Sequence, residues 1–192
     1  MDGGGAVSYK VLVIPEDPTF NGYILKPLTE RVLAEAGKPR AQILVLRDPK
    51  TGGFEQAWKL IAEGSLKARY GHFDLWLFLP DGDKTRDLAT LEATVRGQKA
   101  KLLACYIKPE VEVAIIAGHP KADTVGWAEK RAHSKFKETV FEPFLAANGN
   151  PTAPGGGRET LTRDALKNYD RIMKLVPEIK DLENRVAESF RA

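Results

Sequence analysis

The stretch FDLWLFLPDGDKT, residues 73–85, runs a strongly apolar segment straight into two aspartates one residue apart, Asp81 and Asp83. Asp and Gly are common turn formers, so Asp-Gly-Asp after a strand is ordinary turn chemistry, and either aspartate suits the cap of a following helix. The other reading is a cation site. On extended backbone, side chains two residues apart share a face, so Asp81 and Asp83 present their carboxylates together. Gly82 between them then leaves backbone room for a phosphate or a metal-bound water. Glu16, in LVIPEDP, ends another apolar run in the same way. Carboxylates brought together repel one another and resist ionisation unless positive charge lies between them. A hard divalent cation answers that need: magnesium takes oxygen ligands, keeps several waters and uses one or two carboxylates plus substrate phosphates. Glu16, Asp81 and Asp83 are therefore the candidate ligands of Mg2+ or Mn2+.

The elements that must bring them together show as four apolar runs, each followed by helical spacing. YKVLVIPE precedes NGYILKPLTERVLAEAG, in which Ile24, Leu28 and Val32 repeat every four residues. Pro27 belongs near the first turn of that helix or kinks it. AQILVLRD precedes FEQAWKLIAEGSLKARYG, FDLWLFLPDGD precedes DLATLEATVRGQK, and KLLACYIKP precedes EVEVAIIAGH. Near-continuous apolar runs suit strands covered on both faces. The pattern predicts an α/β domain over 8–120, with a parallel sheet of about four strands and helices on both faces. Ligands of such sheets bind at the carboxyl ends of the strands, where strand order reverses. Glu16, Asp81 and Asp83 sit at such ends, and Glu110 and Glu112 follow the fourth run. If the first and third strands are neighbours, Glu16, Asp81 and Asp83 meet in one crevice.

Residues 121–192 form a helical extension packed on that core. Residues 121–147 read as amphipathic helix, with Phe136, Val140, Phe141 and Phe144 clustered. NGNPTAPGGGR, 148–158, holds too much Gly and Pro for a regular element and reads as a flexible loop. Two helices follow, one sharing Ala165, Tyr169, Ile172 and Val176, the other starting at Pro177 with Ile179, Leu182 and Val186.

Composition narrows the class. The hydrophobic fraction is 43% and the charged fraction 29%, as in globular proteins, and the net charge is +3. No apolar run approaches the ~20 residues needed to span a bilayer. MDGGGAVSYK reads as a flexible leader rather than a secretory signal, so a cytoplasmic address is expected and no membrane. The lone cysteine, Cys105, excludes a disulfide framework and reads as a buried strand residue. His72, His119 and His133 lack metal-ligand spacing; His119, in AGHP, reads as a helix-end histidine or one that nears the crevice. No phosphate-wrapping Gly-Lys-Ser/Thr motif and no dinucleotide-binding glycine pattern is present. Asp48, in RDPKTGG, reads as a turn residue. The densest basic cluster, EKRAHSKFK, carries Lys130, Arg131, Lys135 and Lys137; it is a solvated helix face or a set of phosphate contacts for DNA or RNA.

A glutamate ending strand one and Asp-x-Asp ending strand three resemble the signature of Toprim domains, found in topoisomerases, primases and nucleases of the overcoming-lysogenization-defect class. The closer resemblance is to a small Toprim-like family of unassigned function, often encoded beside an ATPase in bacterial defence loci. LVIPEDPTFNGYILKPLTERVL, FDLWLFLPDGDKT and IKPEVEVAIIAGH carry it, with weaker similarity through HSKFKETVFEPFL and VPEIKDLENRV. The resemblance implies a Toprim/Rossmann-like sheet and a catalytic set of Glu16, Asp81, Asp83 and a late acid, Glu112 first and Glu110 second. It implies magnesium-dependent cleavage of DNA or RNA with water as nucleophile, in antiviral defence, with an ATPase as partner. Two positions depart from the pattern. Asp17-Pro18 stand where glycine commonly follows the glutamate, and Ala114 stands where an aromatic residue often follows the late acid. These departures fit a competing expectation, a non-catalytic interaction or regulatory subunit of an ATPase complex. A phosphoesterase acting on a small phosphate ester is a third expectation.

Overall fold

Alternation along the strands decides which helices cover which face of the sheet. The computed structural model describes residues 8–82, 84 and 86–191; the leader 1–7 and Asp83 lie outside the described residues. Four parallel strands, β1 (Lys10–Ile14), β2 (Gln42–Val45), β3 (Leu75–Phe78) and β4 (Leu102–Ala104), lie in the order β2-β1-β3-β4. Val13 pairs with Val45 on one side and Leu77 on the other, which makes β1 a central strand. Val11, Val13, Leu75 and Leu77 point to one face, where they bury α1 (Gly22–Glu35) and α5 (Val113–Gly118). Leu12, Ile14, Trp76 and Phe78 point to the other and bury α2 (Phe54–Ala62) and α4 (Leu88–Gly97). This is the expected α/β fold with helices on both faces. The order reverses between β1 and β3, the place where doubly wound sheets open a crevice.

Local chemistry corrects several element boundaries. Pro27 is the sixth residue of α1, past the first turn, and the helix runs through it with Ile24, Leu28 and Val32 fully buried. The second helical segment is divided at Gly64, which adopts φ +72°, so α3 (Lys67–Tyr70) is separate from α2.

The amphipathic stretch 121–147 is not one helix. α6 (Trp127–Ala132) ends at His133, which turns extended with ψ 125°. A wide π turn over Lys137–Phe141 then leads directly into α7 (Glu142–Asn148). Pro143 supplies the reason, because it has no N–H to return to the preceding turn and its ring crowds the carbonyl there.

α8 (Arg158–Ala165), α9 (Tyr169–Leu175) and α10 (Pro177–Ser189) follow and join the core under α1 and α5. Within 148–158 the chain makes a tight turn at Pro154–Gly157 in which Gly155 and Gly156 are left-handed, so no regular element forms there, as the composition predicts. Gly155, with φ +64°, lies so close to Tyr23 that a Cβ would come within 2.6 Å of its ring. No helix among the described residues is long and apolar enough to cross a membrane.

The β4 edge is closed by two charged side chains. Glu92 Oε1 accepts the Ala104 N–H at 2.7 Å, and Arg185 Nη1 donates to the Ala104 carbonyl at 2.9 Å. Arg185 also pairs with Glu92 at 2.6 Å, so α4, β4 and α10 are tied at one point. Glu92→Ala strands the Ala104 amide and the Arg185 guanidinium; the expected loss is about 2 kcal/mol, read as a lower urea midpoint with an unchanged slope.

Candidate functional site

The site grows out of the ends of β1, β3 and β4. Beyond Phe78, β3 continues its association with the fourth strand: Asp81 bridges Ile107, the Ile107 N–H donates to Pro80 O at 2.9 Å, and the Gly82 N–H donates to Pro109 O at 2.8 Å. That extended contact carries Asp81 up to the segment holding Glu110 and Glu112. From the other side, Glu16 Oε1 accepts the Asp81 N–H at 3.2 Å, while the Glu16 carbonyl accepts the Gly53 N–H. One side chain thus fixes the two strand ends across the switch point. The first and third strands are neighbours and Glu16 and Asp81 are in direct contact, while Asp83, expected beside them, lies outside the described residues.

Asp81 is also tied forward, accepting the Val111 N–H at 3.4 Å. It does not cap α4; Asp87 does, accepting the Ala89 N–H at 3.0 Å and the Thr90 hydroxyl at 2.7 Å. The space beside Gly82 is not ligand room. A Cβ there would lie 2.9 Å from Lys108 Cα, so the missing side chain is used by close approach of the two chain segments. Asp17 accepts the Thr19 N–H at 2.8 Å, so the residue standing in place of glycine turns the chain towards α1.

Glu112 is the most buried of the acids, with 1% of its side chain exposed and Lys137 as the cation beside its carboxylate. Its compensation is electrostatic. Lys137 Nζ, carried in by the π turn, lies 3.1 Å from Glu112 Oε1 and 3.8 Å from Glu110 Oε2. The first is an ion pair at hydrogen-bonding distance. Burial alone would lower the Lys137 pKa, but Glu112, Glu110 and Asp81 outweigh it and hold the ammonium above its ordinary 10.5. Burial first, then the charges of Glu16, Glu112 and Glu110, push the Asp81 carboxyl from 3.8 up to about 8.

The basic cluster does not act as one patch. Arg131 turns inward, pairing with Glu178 and donating to Lys108 O at 2.9 Å, which braces the loop beneath Asp81. Lys130 pairs with Asp123 at 2.7 Å, and Lys137 belongs to the acidic site. Lys135 is exposed, as is Lys108 beside Gly82. His119, at the far end of α5, is buried against Phe144 and accepts the Lys121 N–H at 3.2 Å, the helix-end role. Asp48 pairs with Arg69 at 2.5 Å, away from the acids. What spacing did not reveal is the pairing of Lys137 with Glu112 and the bracing role of Arg131; the sole signal was the density of cations in one segment.

Among the described residues, no group of three or more His, Cys, Asp or Glu is arranged to hold a metal ion. The donor chemistry nevertheless fits a hard dication. The set is all carboxylate, and burial together with the charges of Glu16, Glu112 and Glu110 pushes the Asp81 carboxyl up to about 8. No protein-family model matches the chain, and comparison with curated proteins and with solved structures finds no match either.

The Asp81 shift sets a pH dependence. With a folded pKa of about 8 against 3.8, the native state binds a proton that the unfolded chain releases, so stability falls as pH rises from about 4 to 8. His119, lowered by burial, acts with the opposite sign, so the comparison between proteins isolates Asp81. In chelator-containing buffer, Asp81→Asn is expected to gain stability over the wild type between pH 5 and pH 8, read from Tm; about 1 kcal/mol corresponds to about 2–4 °C for a domain of this size.

Proposed function

We propose that this chain is a Toprim-like phosphodiester hydrolase that uses Mg2+ or Mn2+ to cleave DNA or RNA. The observation that carries the reading is the Glu16–Asp81 contact across the β1/β3 switch point, with Glu110 and Glu112 entering after β4. Glu16 and Asp81 are the residues to hold the ion, together with Asp83. When bound, a divalent ion there supplies charge stabilisation at the phosphoryl oxygens and a more acidic water. The protein's own part is positional. Glu16 locks the Asp81 backbone, and the Ile107 bridge and Arg131 brace hold the late acids beside it. Asp81 keeps its proton at neutral pH until positive charge arrives, which makes the site responsive to a cation. Lys108, exposed beside Gly82, and the exposed Lys135 are the phosphate contacts under this reading.

A second reading is a non-catalytic subunit of an ATPase complex that retains the fold. It is favoured by the inward use of Arg131 and Lys137, which removes two of the four clustered cations from phosphate binding.

The deciding experiment incubates single- and double-stranded DNA and RNA with the protein and Mg2+ or Mn2+. Metal-dependent cleavage is expected, lowered by about 10²-fold or more in Asp81→Ala and Glu16→Gln. Cleavage that survives Asp81→Ala overturns the catalytic reading; metal-independent association with an ATPase and no cleavage supports the second.

A further inference from the structure

Arg158 is a cation buried where the described residues give it no counter-ion. It is 8% exposed and forms no ion pair among them. Nη1 donates to Gly155 O at 3.1 Å, and the guanidinium lies 4.5 Å from the ring centroid of Phe20 and 5.5 Å from that of Phe141. Nε is buried with no hydrogen bond, and Nη2 makes none among the described residues. The side chain lines a cavity of ≈ 420 Å³ together with Glu142, Leu145, Gly149, Pro151 and Gly156. We propose that this cavity binds the phosphate group of a small ligand, with the Arg158 guanidinium as its anchor. The inference does not depend on the metal reading above.

Burying a charge is costly unless it is paired and hydrogen-bonded. The two rings attract the guanidinium without neutralising it, and the Gly155 carbonyl is already shared with the Arg158 N–H. Position adds to the cost. Arg158 is the first residue of α8, whose N-terminus has no side-chain cap and carries the positive end of the helix dipole, where a cation is unfavourable. A phosphate group answers each of these demands. Its oxygens take charge-assisted hydrogen bonds from a guanidinium, and its charge suits a helix N-terminus. The cavity volume falls within the roughly 300–1,000 Å³ of small-molecule sites, which favours a small phosphate ester over a duplex. The approach is through polar ground: Glu142, the acid on the cavity wall, is exposed and forms no ion pair with Arg158. Phe20, stacked on the guanidinium and 43% exposed, belongs to the loop between β1 and α1 that also holds Glu16.

The test is calorimetric titration of the full-length protein with inorganic phosphate, adenosine monophosphate and adenosine, in metal-free buffer at constant ionic strength, with Tm as a second readout. Phosphate and the monophosphate are expected to bind, and adenosine is not. Binding of both is expected to weaken about 10-fold or more in Arg158→Gln. Glu142→Gln, which removes the acid from the cavity wall, is expected to tighten both. At about 100 times its Kd, phosphate is expected to raise the wild-type Tm by about 5–10 °C. No binding to the wild type, or binding unchanged in Arg158→Gln, overturns the site. Adenosine bound as tightly as its monophosphate overturns the ligand class. Should Arg158→Gln fail to fold, Glu142→Gln decides: tighter phosphate binding supports the site, and unchanged binding overturns it. With neither metal nor nucleic acid present, a negative result leaves the cleavage reading standing.

Discussion

Like charge in a small space is the constraint around which the structure is arranged. Two unit charges 4 Å apart interact with about 4 kcal/mol at the effective dielectric of a protein surface, and four carboxylates converge here. The molecule answers differently at three of them. Asp81 holds its proton, Glu112 takes an ammonium, and Glu16 turns one oxygen onto a backbone amide. Each answer requires a neighbouring element to be in place, so the charge problem propagates outward. The extended β3–β4 pairing positions Asp81, and a glycine at 82 permits that pairing to close against Lys108.

The C-terminal half of the chain is bound up with this arrangement. Its apolar residues, from Phe136 to Val186, fill the core beneath α1 and α5. Its cations reach back to the ends of the fourth strand. Lys137 meets Glu112, Arg131 grips Lys108 and Glu178, and Arg185 closes the β4 edge with Glu92. The α/β portion supplies the acids and the helical portion supplies the charge that lets them coexist.

Much of this was legible from the residues. Apolar runs without alternation located all four strands, and the strand-end rule selected Glu16 and Asp81, because both depend on local pattern and parallel topology. The length of the helices in 121–147 was less so, since amphipathic spacing continues through the break at His133 and the π turn before Pro143. The destination of the basic residues was not legible at all. A lysine on a solvated face and a lysine aimed at a buried glutamate have the same neighbours in sequence; Arg131 and Glu178 are 47 residues apart. Gly82 misled in the same way. Its spacing suggests room for a ligand, whereas tertiary packing brings Lys108 into that room.

The energetics of the Lys137–Glu112 pair bear on what the site is for. Removing two charges from water costs several kcal/mol per ion, and mutual attraction often only balances that cost. Well-packed apolar residues of similar size would hold α5 and the π turn together at least as firmly. Stability therefore gives no reason to bury Glu112 beside Asp81, whose carboxyl burial and neighbouring acids push up to about 8. Charge-sensitive chemistry does. Under the proposed metal reading, a dication held where the strand order of the sheet reverses would relieve the repulsion among Asp81, Glu16, Glu112 and Glu110. On that reading, the same repulsion that raises the Asp81 pKa would become affinity for the ion.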